Sequence, residues 1–131
     1  MSASNGRLTP IELNKLLGEM NAEAGFPLAV VTNHDGYVIA ASGPEDADAQ
    51  RQSAVVAKVG ETAALASSQL KMGAMDEVSI YSRDGSRLIC RSVGLPASSD
   101  LILSVMINKR GQPYRRATNK VIAQLRETWR N

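Results

Sequence analysis

The chain has 131 residues, 44% of them hydrophobic and 21% charged, a formal net charge of +2 and a single cysteine, Cys90. That length suits one domain whose core needs neither disulfide nor metal. A lone thiol excludes an intrachain disulfide and fits a reducing compartment. No run approaches the roughly 18 apolar residues of a membrane span, and the opening MSASNGRLTP has no apolar signal core. A cytoplasmic protein is therefore expected.

Residues 1–8 are small and polar and read as a disordered tail, with one domain over 9–131. TPIELNKLLGEMNAEAG opens on a Thr-x-x-Glu capping box, Thr9 to Glu12, with Pro10 at the first helical position. Leu13, Leu16, Leu17, Met20 and Ala24 repeat at helical spacing. Gly25 suits the left-handed C-cap and Pro27 stops continuation, which places a helix over about residues 10–24. PLAVVTN and YVIAAS then read as two strands joined through His34-Asp35-Gly36, because a tight hairpin demands a positive φ that glycine adopts freely. His34, the sole histidine, reads as a solvated turn residue, since no second imidazole or thiolate stands near it to share a metal.

After the acidic stretch Pro44–Asp48 comes a long Ala-rich helix, expected over about residues 47–72 and ending before Gly73. Val55, Val59, Ala63, Ala66 and Leu70 form a stripe expected to face the core. A second stripe of small or modest residues, Val56, Gly60, Ala64 and Ser67, has two readings. Gly60 costs about 1 kcal/mol relative to Ala in mid-helix. It either accommodates a strand of the same domain or lets a second helix approach from another subunit.

DEVSIYS and SRLICRSV repeat the hairpin pattern around Asp84-Gly85. Cys90, in the second of these strands, reads as a small buried thiol. DLILSVMIN differs, being apolar on both faces: Leu101, Leu103, Val105 and Ile107 point one way, Ile102 and Met106 the other. It is expected as a central, doubly covered strand. The last helix, about residues 114–130, buries Ala117, Val121, Ile122 and Leu125, with Trp129 locking its final turn to the sheet. Seven bases and one acid lie between Lys109 and Asn131.

The order is α-β-β-α-β-β-β-α. Short turns make successive strands antiparallel. Two apolar sheet faces need helices on both sides, the second helix on one face and the first and third on the other. The fold expected is an α+β, three-layer α/β/α sandwich around one five-stranded antiparallel sheet. The strand at Val78, Ser79, Ile80 and Tyr81 begins the second meander and is expected at an edge, where an unpaired strand needs a partner.

Catalytic constellations are missing. There is no phosphate-binding glycine loop and no serine elbow for His34 to serve. Asp35 and Asp84 read as turn formers rather than an acid–base pair. A non-enzymatic binding protein without metal or cofactor is expected.

In the order and spacing of these phrases the chain resembles the Roadblock / dynein-light-chain family over roughly residues 9 to 130. The Asp-Gly hairpin of LAVVTNHDGYVIAAS is the most specific piece, followed by the helix ending LKMG, the hairpin VSIYSRDGSRLICRSV and the passage LILSVMINKRGQPYRRATNKVIAQL. The resemblance implies a homodimer in which third strands pair and second helices lie side by side, with Val56, Gly60, Ala64, Ser67, Val78, Ser79, Ile80 and Tyr81 at the interface. It also implies a non-catalytic platform: a subunit of motor or membrane-recruitment complexes, or a co-regulator of small Ras-like GTPases in bacteria and archaea. The opening of the last helix, PYRRATNK, is more basic than the family pattern. Arg115, Arg116, Lys120 and Arg126 therefore form a rival phosphate or partner site. Scarce, scattered aromatics argue against nucleic acid. A small-molecule sensor, the third reading, rests on fold analogy alone.

Overall fold

The computed structural model describes residues 8–96 and 99–129. Its elements are α1 (Pro10–Ala24), β1 (Leu28–Asn33), β2 (Val38–Ser42), α2 (Asp46–Gln69), β3 (Glu77–Tyr81), β4 (Arg87–Ser92), β5 (Leu101–Ile107) and α3 (Arg115–Thr128). The strands form one antiparallel sheet in the order β2-β1-β5-β4-β3. β5 is thus central and β3 is an edge, as the apolar patterning requires. The expected tail lies outside the described residues except for Leu8, which packs against the core.

The local signals act as read. The Thr9 hydroxyl accepts from the Glu12 amide at 3.1 Å while the Glu12 carboxylate accepts from the Thr9 amide at 2.7 Å. Gly25 closes the helix in the left-handed conformation. Both hairpins turn through a glycine at positive φ, Gly36 at 89° and Gly85 at 96°. Their side-chain clasps differ. Asp84 receives the Ser86 amide at 2.9 Å and its hydroxyl at 2.7 Å. In the first hairpin Asn33, not Asp35, plays that part, accepting from the amides of Asp35 and Tyr37.

The sheet separates two cores. On one face Leu13, Leu17 and Met20 of α1 and Val121, Ile122 and Leu125 of α3 meet Ala29, Val31, Ile89, Leu103 and Val105. Trp129 packs against the same cluster. The other face holds α2 and is smaller. Ala49 meets Leu28 and Val30, and Val56 meets Leu88 and Cys90. Much of this second contact is polar. The Gln52 amide donates to the Ser104 hydroxyl at 3.0 Å, and the Ser53 hydroxyl sits 2.9 Å from that of Thr32 and donates to the Gly36 carbonyl. All four side chains are buried, so each hydrogen bond spares a desolvated group.

Two expectations about α2 are corrected. The helix ends at Gln69 rather than running to 72, because Lys71 adopts φ 57° and the Met72 amide reaches back to the Ser67 carbonyl at 2.8 Å. That is the Schellman arrangement with lysine where glycine is usual. The faces of the helix are also partly exchanged, although Val59 of the expected core stripe does pack against Leu88 and Cys90. Val55 and Leu70, expected in the core, are 43% and 69% exposed, whereas Val56, expected at an interface, is fully buried.

Cys90 is buried in β4, and burial, with Glu77 adding a smaller repulsion, pushes its thiol up to about 11. A folded chain should therefore resist iodoacetamide at pH 8 and react stoichiometrically once unfolded. Because the folded thiol holds its proton above the pH at which the unfolded one ionises, stability falls as pH rises from about 9 toward 11. Rapid alkylation of the native protein would contradict the placement of this side chain.

Candidate functional site: the groove between α2 and the free strand edge

The outward edge of β3 is unpaired. Asp76 accepts from the Ser92 amide and the Ser82 amide donates to Ser86, so both turn inward toward β4. By the two-residue alternation, Glu77, Ser79 and Tyr81 direct their N–H and C=O groups outward. Above this edge the C-terminal half of α2 overhangs the sheet. Beyond Gly60 none of its residues is fully buried, in contrast to Ala49, Gln52, Ser53 and Val56 before it.

A groove of about 790 Å³ runs between the two elements. Val59, Thr62, Ala63 and Ala66 form its helical wall, Val78 and Ile80 its strand wall, and Met72 and Met75 its end. Met72 and Ile80 are 63% and 46% exposed. Apolar side chains and a row of unpaired backbone groups thus lie together along one border, a combination soluble monomers cover or blunt.

The eight residues expected at an interface do not all meet here. Val78, Ile80 and Ser67 line the groove. Ser79 and Tyr81 are exposed on the opposite face of the strand. Ala64 is exposed on the far side of α2, where a second hollow of about 710 Å³ lies between that helix and the β4–β5 loop. Gly60 faces its own sheet: a Cβ there would stand 3.1 Å from Ile102 Cδ1. Of the two readings of Gly60, the structure supports accommodation of a strand in the same chain. The stripe expected in the core, Val59, Ala63 and Ala66, is the one that lines the groove.

The basic residues of α3 are exposed but do not form one site. Arg115 donates to Glu77 at 2.6 Å, Lys120 stands 3.4 Å from Glu23, and Arg126 donates to the Val93 carbonyl. Arg116 has no such partner among the described residues. Glu77 is the centre of a partly buried cluster. Tyr114 donates to its second oxygen, and the buried Arg91 lies 3.7 Å away while bonding Thr118 and Asn119. Burial first, and the bond to Glu77 second, raise the Tyr114 hydroxyl above its ordinary value. Sequence reading gave Glu77 no partner beyond its place at the start of the edge strand and did not single out Asp100. The Asp100 carboxylate gathers the Ser92 hydroxyl and the amides of Gly94, Leu95 and Leu101 to shape the β4–β5 loop.

Among the described residues no three His, Cys, Asp or Glu side chains are gathered to hold a metal ion. None of the described helices is long and apolar enough to cross a membrane.

The chain is similar to solved structures despite low identity. MglB, a gliding protein of Thermus thermophilus, shares 14% identity at a TM-score of 0.76, over 92% of this chain and 91% of that one. A Roadblock/LC7 domain from Streptomyces avermitilis shares 16% at 0.75, over 86% and 93%. MglB of Myxococcus xanthus shares 14% at 0.71, over 86% and 84%. These likenesses establish the fold. No protein of curated function matches the chain in sequence. The family profile described as the Roadblock/LC7 domain matches residues 12–95, more than half of the chain. With that match and the α-β-β-α-β-β-β-α sandwich, the chain belongs to the Roadblock/LC7 domain family.

Proposed function

We propose that two copies of this chain associate through the α2–β3 groove, and that the dimer is a cytoplasmic platform which binds a small Ras-like GTPase and biases its nucleotide state. The Roadblock/LC7 family is a family of non-catalytic scaffolds, and the gathered chemistry here is of that kind. The observation that carries the dimer is the bare, apolar-flanked edge of β3. A two-fold contact would pair the strand edge and lay one α2 beside the other in a single self-complementary interface.

The register follows from the three outward-facing residues. Only a two-fold axis through Ser79 satisfies all of them at once, with Glu77 of each protomer opposite Tyr81 of its partner and the two Ser79 residues face to face. Directly bonded antiparallel pairs have Cα atoms about 5.5 Å apart, within disulfide range. Ser79→Cys should therefore give a covalent dimer on mild oxidation, while the wild type, whose Cys90 is buried, does not. A protein that is dimeric by light scattering yet never cross-links at position 79 would refute this register.

The GTPase reading draws on the family and on the MglB likenesses. A platform shifts a switch equilibrium only by its difference in affinity for the two states. Pull-down of a Ras-like GTPase encoded beside this gene, loaded in turn with GDP and a GTP analogue, should show preferential capture of one form. Equal capture would remove the nucleotide-biasing role, and no capture of either the binding role.

A further inference from the structure

Cations with no carboxylate partner also gather away from α3. At one end of the sheet the β3–β4 turn meets the β5–α3 loop. Arg83 and Arg87 flank the turn, Lys109 and Arg110 lie in the loop, and none forms an ion pair among the described residues. Two of the four are held in place. The Arg87 guanidinium lies 5.6 Å from the Tyr81 ring centre and 5.7 Å from that of Tyr114, and donates to the Gln112 carbonyl. Arg110 crosses Gly85, lies 6.0 Å from the Tyr81 ring, and donates to the Arg83 carbonyl at 2.7 Å.

The acids nearby are already engaged. Asp84 is occupied by Ser86, whose hydroxyl and amide are the main reasons its carboxyl is held below the usual range. Glu77 is occupied by Tyr114 and Arg115. The corner therefore presents two guanidinium groups fixed by stacking; Arg110 adds a smaller pull on Asp84, but neither guanidinium forms an ion pair with a carboxylate among the described residues.

We propose that this corner docks an acidic segment of a partner protein, whose Asp and Glu carboxylates pair with Arg83, Arg87 and Arg110. The proposal does not need the dimer, because the corner's residues all come from one chain. Stacked, hydrogen-bonded arginines lose little freedom when they bind a carboxylate, and their planar forks match it in two-pronged fashion. Single-stranded nucleic acid fits less well, since it needs an open ring face and Tyr81 is flanked by two guanidiniums. A bilayer or duplex fits less well too, because the basic surface is small and bordered by Asp84 and Glu77.

The test measures fluorescence anisotropy of a short labelled poly-L-glutamate at low ionic strength. Saturable binding should weaken by at least about tenfold in Arg83→Glu/Arg110→Glu, since reversing interfacial charges costs this much or more. Arg110→Lys should weaken it severalfold, because the charge remains and the fork is lost. Arg51→Glu, a charge reversal on α2, should leave it unchanged. Circular dichroism checks that each variant is folded, and a monomerised variant should bind as the wild type does. Absence of saturable binding by the wild type, equal binding by the double variant, or tighter binding of duplex DNA or phosphatidylglycerol vesicles than of poly-L-glutamate would each overturn the proposal.

Discussion

Ala66→Arg is expected to leave a folded monomer. Ala66 is exposed and lines the helical wall of the groove, so the chain alone accommodates a long charged side chain in solvent. In the dimer the same side chain is pressed against the partner's helical wall, which offers only apolar, hydroxyl and lysine groups. An unpaired buried charge costs about 3–5 kcal/mol, which raises the dimer dissociation constant by about 10² or more. Light scattering across a dilution series reads the change, and the melting temperature of the monomer at low concentration should be unaltered. Gly60→Leu is the contrasting variant. Its added atoms meet Ile102 of the central strand, and overpacking of this kind costs about 1–3 kcal/mol of monomer stability. An Ala66→Arg protein that stays dimeric at nanomolar concentration would exclude the groove as the interface.

The second large effect is expected at Glu77. Its carboxylate faces Arg91, Arg115 and Tyr114 at the start of the edge strand. Arg91 is 6% exposed, so Glu77→Ala strands a buried guanidinium that keeps only the neutral acceptors Thr118 and Asn119. Breaking such a pair costs about 3–5 kcal/mol, a large part of a small domain's total stability. Adding Arg91→Leu to Glu77→Ala should recover much of the loss, since two apolar groups in place of a buried pair are often tolerated. Urea titration of the two single variants and the double variant measures the coupling. Strict additivity would mean that Glu77 and Arg91 do not interact.

Much of the fold was legible because its signals are local. A capping box, two Asp-Gly turns and a strand with apolar residues on both faces each depend on a few neighbouring residues. They led to the element order and the central place of β5. The faces of α2 were not legible in the same way. Its two candidate stripes lie next to each other on the helix and differ little in hydrophobicity. The choice is made by what the sheet presents: Ser104 and Thr32 offer hydroxyls, which Gln52 and Ser53 meet. Hydrophobic periodicity cannot register a buried glutamine and serine as core. It therefore gave the inner position to Val55, Ala63 and Ala66, which line the groove or lie exposed, and to Val59, which lines the groove while packing against Val56, Leu88 and Cys90. The strand half of the candidate site was partly readable, since Val78 and Ile80 alternate with Ser79. The buried pairing of Glu77 was not legible because its partners come from α3 and β4, far along the chain, and Asp100 escaped notice because its partners are mostly backbone amides.

The strand order carries a consequence for how the molecule is made. β5 is the last strand in the chain, yet it occupies the middle of the sheet, joining Leu28 to Met106 on one side and Arg87 to Ile107 on the other. While the ribosome is still upstream of Leu101, the chain holds two separate hairpins. Each has bare margins, and nothing unites their apolar faces into one surface. Loop-closure entropy must be met across some seventy residues before the first β1–β5 contact repays it. The nascent protein is therefore most vulnerable to intermolecular strand pairing late in synthesis, and it is β5, threading between two hairpins that preceded it, that closes their inner margins.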